Sequence, residues 1–210
     1  MAVGIACAAV LSFGVLWGSW KSLPHAASHS GRMEAGRNCL LFHREATDAC
    51  LARLFPNAAA LRLRIPGLEA FGWSGFAALH ERLEQAPVLN LKDGTSSRQW
   101  KILPPKARSG WLDRVDTTQG VRVSGWAIHP AGNIGRERRV VVVSGDRVVG
   151  RAVLDIDRPD VVAAISVLDI GRPGWSARVE GWTPGGGQPP LRAYLVVAEG
   201  VLIELHGAAR

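Results

Sequence analysis

Few residues in this 210-residue chain have the types and spacing that chemistry needs. Asp155, Asp157 and Asp160 form its densest carboxylate cluster. A hard cation such as calcium takes several oxygen ligands converging from one loop, and the glycine and terminal glutamate of an EF-type loop are missing here. A turn salt-bridged to Arg158 is the plainer reading, so these aspartates are the metal candidates but no metal is assigned. His25 and His29, four positions apart, would share a helical face, yet no His-Glu-x-x-His pattern accompanies them. Gly72-Trp73-Ser74-Gly75-Phe76 departs from a nucleophile elbow, and Ser74 reads better as a helix cap. Gly185-Gly186-Gly187 has no lysine after it and reads as a loop rather than a phosphate cradle. No catalytic residue and no cofactor is therefore expected.

Cysteine and tryptophan carry the remaining signals. A disulfide between Cys39 and Cys50 would imply an oxidising compartment, while two free buried thiols fit the same spacing. Cys7 reads as a small packed apolar residue, and the soft ligands are too few for zinc. Trp111, Trp126, Trp175 and Trp182 lie in the C-terminal half, where flat aromatic faces either stack on sugar rings or fill a core between sheets. Trp126 has the opposite parity to Val121, Val123 and Ala127 and so falls on the outer side of its strand. That makes it the best ligand-binding candidate.

The elements that must hold these residues follow from patterning. Ala2 to Trp20 is uncharged and long enough for one bilayer crossing, with Trp17 and Trp20 at an interface and Lys21 as the stop. The expectation is a transmembrane helix over 1–21, followed by short juxtamembrane helices over 22–86. Thr47 caps the first helix, which ends at Pro56; Asn57 caps the second, which stops before Pro66; Ser74 caps the third, with Phe76, Leu79 and Leu83 on one stripe. Residues 87–109 lose periodicity and read as a linker. Over 110–207, segments at 121–127, 140–143, 147–154, 175–182, 191–198 and 201–206 alternate and are separated by glycine turns, Gly145-Asp146 among them. The fold class expected is α+β: one transmembrane helix, short helices, then an antiparallel β-sandwich. Val-Arg-Val-Ser-Gly-Trp at 121–126 is loosely echoed by Ala-Arg-Val-Glu-Gly-Trp at 177–182.

Formal charge is +7, and its excess lies before residue 110; the C-terminal half is close to neutral. That disfavours nucleic acid as a partner of the β module and favours anionic headgroups, so the lipid bilayer is the expected partner.

Gly125-Trp126-Ala127 and Arg158-Pro159-Asp160-Val161 resemble a small β module at the C-terminal end of some bacterial cell-envelope proteins, membrane glycosyltransferase-like ones included. Gly36-Arg37-Asn38-Cys39-Leu40, the run Cys50 to Asn57 and Leu68 to Gly72 similarly resemble the stretch after the last membrane helix of such polytopic proteins. The resemblance implies the tail of a larger multi-span protein, with the β module outside the cytoplasm, and carries over no catalytic residue. The basic flank after the apolar run points instead to the cytoplasm. The function expected is a membrane-anchored envelope protein whose non-catalytic module binds or supports glycan-related machinery or other membrane proteins. Its rivals are a truncated transferase fragment and an extracytoplasmic enzyme whose site would unite Asp155, Asp157 and His129.

Overall fold

The computed structural model describes residues 35–44, 46–106, 108–133, 137–165 and 170–208. The apolar run over 1–21, with Trp17, Trp20, His25 and His29, lies outside them. No helix among the described residues is long and apolar enough to cross a membrane.

Residues 35–41 are helical, and three helices follow: α1 (Asp48–Leu51), α2 (Ala58–Ala70) and α3 (Ser74–Glu84). The Thr47 hydroxyl accepts from the Cys50 N–H at 3.2 Å and the Asn57 side chain accepts from the Ala60 N–H at 2.9 Å, so both expected caps form. The third does not: Trp73 occupies the cap position of α3 without a side-chain bond, and Ser74 is already helical. Nor does α2 stop before Pro66, but runs through it to Ala70. Proline removes one backbone donor, and Pro66 sits on the exposed side, where water can serve the carbonyl left over. The buried Ile65 beside it packs with Leu40 and Phe76, which outweighs the local penalty.

The remainder is mostly β. The strands are β1 (Val88–Asp93), β2 (Ser96–Leu103), β3 (Gly110–Asp116), β4 (Arg122–Ala127), β5 (Arg139–Ser144), β6 (Arg147–Val153), β7 (Gly174–Arg178), β8 (Leu191–Ala198) and β9 (Val201–Glu204). A short helix, α4 (Pro159–Ala164), precedes β7. Two expectations fail here. The stretch 87–109 is not a linker, because it supplies β1 and β2, paired antiparallel from Val88–Lys101 to Asp93–Ser96. The architecture is not an α+β span with an antiparallel sandwich: six strands close into a barrel of order β1-β2-β9-β8-β5-β6, beside a separate three-stranded sheet of order β3-β4-β7. Closure depends on β1 and β2, two of the three strands not expected from the sequence (β3 is the other), and two of its seams, β1 with β6 and β2 with β9, are parallel. The expected transmembrane helix and β-sandwich, and with them the membrane and glycosyltransferase association, thus have no counterpart among the described residues.

The wall formed by β5, β8 and β9 is buried on both sides. Val140, Val142, Leu191, Ala193, Leu195 and Ile203 face the three-stranded sheet, packing with Val123, Trp175 and Ala177. Val143, Tyr194 and Leu202 face the barrel interior with Leu91 and Ile102. This explains why Val140 to Val143 is a continuous apolar run where a half-buried strand would alternate. Gly145, at φ 60°, makes the left-handed turn that joins β5 to β6, with Ser144 registered on Arg147.

The helical layer is locked by the Cys39–Cys50 disulfide, which clusters with Ala46, Leu51 and Ala131. Of the two readings the spacing allowed, the bonded one holds. Cys50 Sγ lies 3.1 Å from the carbonyl oxygen of Ala131, in the loop after β4.

Candidate functional site

The outer face of the β3-β4-β7 sheet is set by register. Residues registered across strands share a face. Leu112, Gly125 and Trp175 form one inward row, and Val115, Val123 and Ala177 another. The outward rows must then be Trp111, Trp126 and Gly174; Arg114, Ser124 and Ser176; and Asp116, Arg122 and Arg178. Inner close packing fixes the sheet. A side chain at Gly125 would strike the Trp111 carbonyl oxygen and meet Trp175 Cζ2 at 2.9 Å, so β3 can approach β4 only over glycine.

The sequence-selected tryptophans divide cleanly. Trp175 and Trp182 are core residues; Trp182 donates from Nε1 to the Pro189 carbonyl at 3.0 Å. Trp182 lies beyond the end of β7, so the echo between 121–126 and 177–182 places its two tryptophans in different surroundings. Trp126 is on the outer face and half-buried, its ring packed with Ile128, Val161, Ile165 and Ile170 beneath α4. Trp111 beside it is 45% exposed. His206, just past β9, bridges to β3 and stacks on the Trp111 indole at 5.0 Å between centroids and 29° between planes. His206 is itself held through Nε2, 3.1 Å from the Lys106 carbonyl oxygen. Three aromatic rings therefore line one end of the face, the middle one the most open.

Arg158 crosses the end of that row. Its stem occupies the space over Gly174, where an added Cβ would meet Arg158 Cγ at 2.9 Å. Its guanidinium donates from Nη1 to Asp113 at 2.8 Å and from Nε and Nη2 to Asp160 at 2.9 and 2.8 Å. This fork holds the Asp160 carboxyl down to about 2, chiefly by direct hydrogen bonding. The three aspartates singled out in the sequence do not converge: Asp160 pairs with Arg158, Asp157 with Arg172 at 3.2 Å, and Asp155 is exposed. No group of three or more histidine, cysteine or acidic residues among the described residues is placed to hold a metal ion.

His129 joins neither aspartate. It is buried, its Nδ1 accepts from the Ala131 N–H at 3.0 Å, and Nε2 therefore carries the proton it donates to the Val197 carbonyl at 2.8 Å. Burial first, then the positive charge of Arg138, push its pKa down to about 3. A neutral ring locked at both nitrogens positions the 127–133 loop and is not offered to a substrate. Asn133 completes the lock, accepting from the His129 N–H and donating to the Ala127 carbonyl at 2.8 and 3.0 Å.

No family model, curated protein or solved structure matches this chain.

Proposed function

We propose that this chain is a non-catalytic glycan-binding module working outside the cytoplasm. The observation that carries the reading is the exposed Trp111 indole, clamped by His206 and registered beside the half-buried Trp126 on the outer face of the sheet. A pyranose ring is amphipathic: its C–H faces pack on an indole while its hydroxyls reach polar groups around it. A ring held rigid before binding loses little entropy when the sugar arrives. The neighbouring Ser124 and Ser176 supply hydroxyls that donate or accept. The Cys39–Cys50 disulfide supports an oxidising compartment, since such bonds persist in secreted and envelope proteins and are rare in the cytosol.

The test is binding of the full chain to a panel of neutral and charged oligosaccharides, followed by calorimetry on the hits. Trp111→Ala is expected to weaken binding by roughly tenfold or more, as for the loss of one well-placed aromatic contact, with the fold retained because the ring lies outside the buried core. Trp126→Ala should weaken binding and also lower the melting temperature, because that ring is half in the core. Affinity unchanged in Trp111→Ala would refute the reading.

A further inference from the structure

We infer that the glycan this face takes carries carboxylates. The inference rests on the binding reading above and specifies its ligand. Beyond the aromatic row lie Arg114, Ser124 and Ser176, and then Asp116, Arg122 and Arg178. Successive outward rows sit about 7 Å apart along a strand, so the third row is about 13 Å from the rings, a distance a short linear oligosaccharide spans.

Arg122 and Arg178 stand directly opposite each other on β4 and β7. Like charges at such a position destabilise a sheet, and nothing in the fold calls for the pair. Asp116, registered opposite Arg122, offsets part of that charge: hydrogen bonds from the Thr118 N–H and hydroxyl at 2.9 and 2.7 Å first, then the charges of Arg114 and Arg122, hold its carboxyl below the usual carboxylate range, while Arg178 has no carboxylate registered beside it in this sheet. Arg114, Arg122 and Arg178 make no ion pair within the described residues, and all three are exposed. Arg158, at the aromatic end, differs in having its fork filled by Asp113 and Asp160. Three guanidinium groups thus share the one carboxylate of Asp116 in these rows, an excess of positive charge at the end of the face away from the rings.

A planar guanidinium matches a carboxylate through two parallel hydrogen bonds, which a neutral sugar cannot return. A uronate chain running along β4 would stack a ring on Trp111 and Trp126, meet the hydroxyls of Ser124 and Ser176, and present acid groups to Arg122 and Arg178. A carboxylate bound between those two side chains would offset their mutual repulsion.

The experiment titrates the full chain with polygalacturonate and with its fully methyl-esterified form, which keeps the rings and loses the charge. Polygalacturonate should bind roughly tenfold tighter or better, the effect of a charge-assisted hydrogen bond. Arg178→Gln should abolish that preference without lowering the melting temperature, since it removes a repulsion, and Trp111→Ala should weaken both polymers. Equal binding of both polymers, weakened in Trp111→Ala, would overturn the carboxylate assignment and leave the stacking reading standing. A preference for polygalacturonate over its methyl ester that survives both Arg178→Gln and Arg122→Gln overturns it too. So does equal binding of single-stranded DNA that ignores Trp111→Ala, which would make the face a general polyanion surface and remove the stacking reading as well.

Discussion

His129 takes up its proton at very different pH in the folded and unfolded chain. Folded, it stays neutral down to about 3; unfolded, it takes a proton near 6.5. Between those values the unfolded chain binds the extra proton, so stability from this residue is full above 6.5 and drains away as pH falls toward 3. The slope is about 1.4 kcal/mol per pH unit at its steepest. Urea denaturation across that window should show the loss in the wild type and a shallower one in His129→Gln, whose amide can still donate to Val197. Parallel curves would mean the ring protonates without disturbing the loop. Of the outer-face residues, Trp126 was legible from strand parity alone, because alternation is a local property. Trp111 was visible only as one of four tryptophans. His206, Arg122 and Arg178 were not legible as neighbours, because their register joins strands distant in sequence.

At the level of elements, strands β4 to β9 were readable because glycine turns bound them and most alternate. The hairpin β1–β2 was not. Exposed positions dominate both its strands, leaving Leu91, Ile102 and Leu103 as the buried residues. Its polar sequence therefore looks like a connector, although Gly94 and Thr95 make a two-residue turn closed by the Asp93–Ser96 pair. Proline misled the reading at α2 for a related reason: a local rule was overridden by the burial of Ile65. Within the helical layer the disulfide ties the helix over 35–41 to α1. Closing a loop with a separation of 11 residues removes unfolded-state freedom worth about 3 kcal/mol. Cys39→Ala with Cys50→Ala should lower the melting temperature by roughly 6–12 °C for a domain of this size. Under denaturing, non-reducing conditions the wild type should titrate as one thiol, that of Cys7, rising to all three after reduction. Three thiols before reduction would place the chain in a reducing compartment and remove the support for an extracytoplasmic setting.

On the scale of the whole molecule, the barrel is not uniformly closed. Antiparallel β5 with β6 and β5 with β8 are long ladders, whereas β1 meets β6 through the single registered pair Lys92–Arg147. Polar ties reinforce that seam: the Lys92 N–H donates to the Asp146 carbonyl at 2.8 Å, Lys92 Nζ lies 2.6 Å from the Asp146 carboxylate, and Arg151 pairs with Asp93. These ion pairs are exposed, and screening in concentrated salt shortens their reach to about 3 Å. Opening is therefore expected to begin at the β1–β6 edge, with β1 lifting as a flap hinged on its six-pair ladder with β2. Deuterium uptake should reach the amides of β1 well before those of β5 and β8, and molar sodium chloride should widen the gap. Once the flap lifts, Leu91 leaves the interior and Leu202 and Tyr194 meet water. The first step of unraveling, and the first sticky strand offered to another copy, would then be an ionic-strength event at one corner of the molecule.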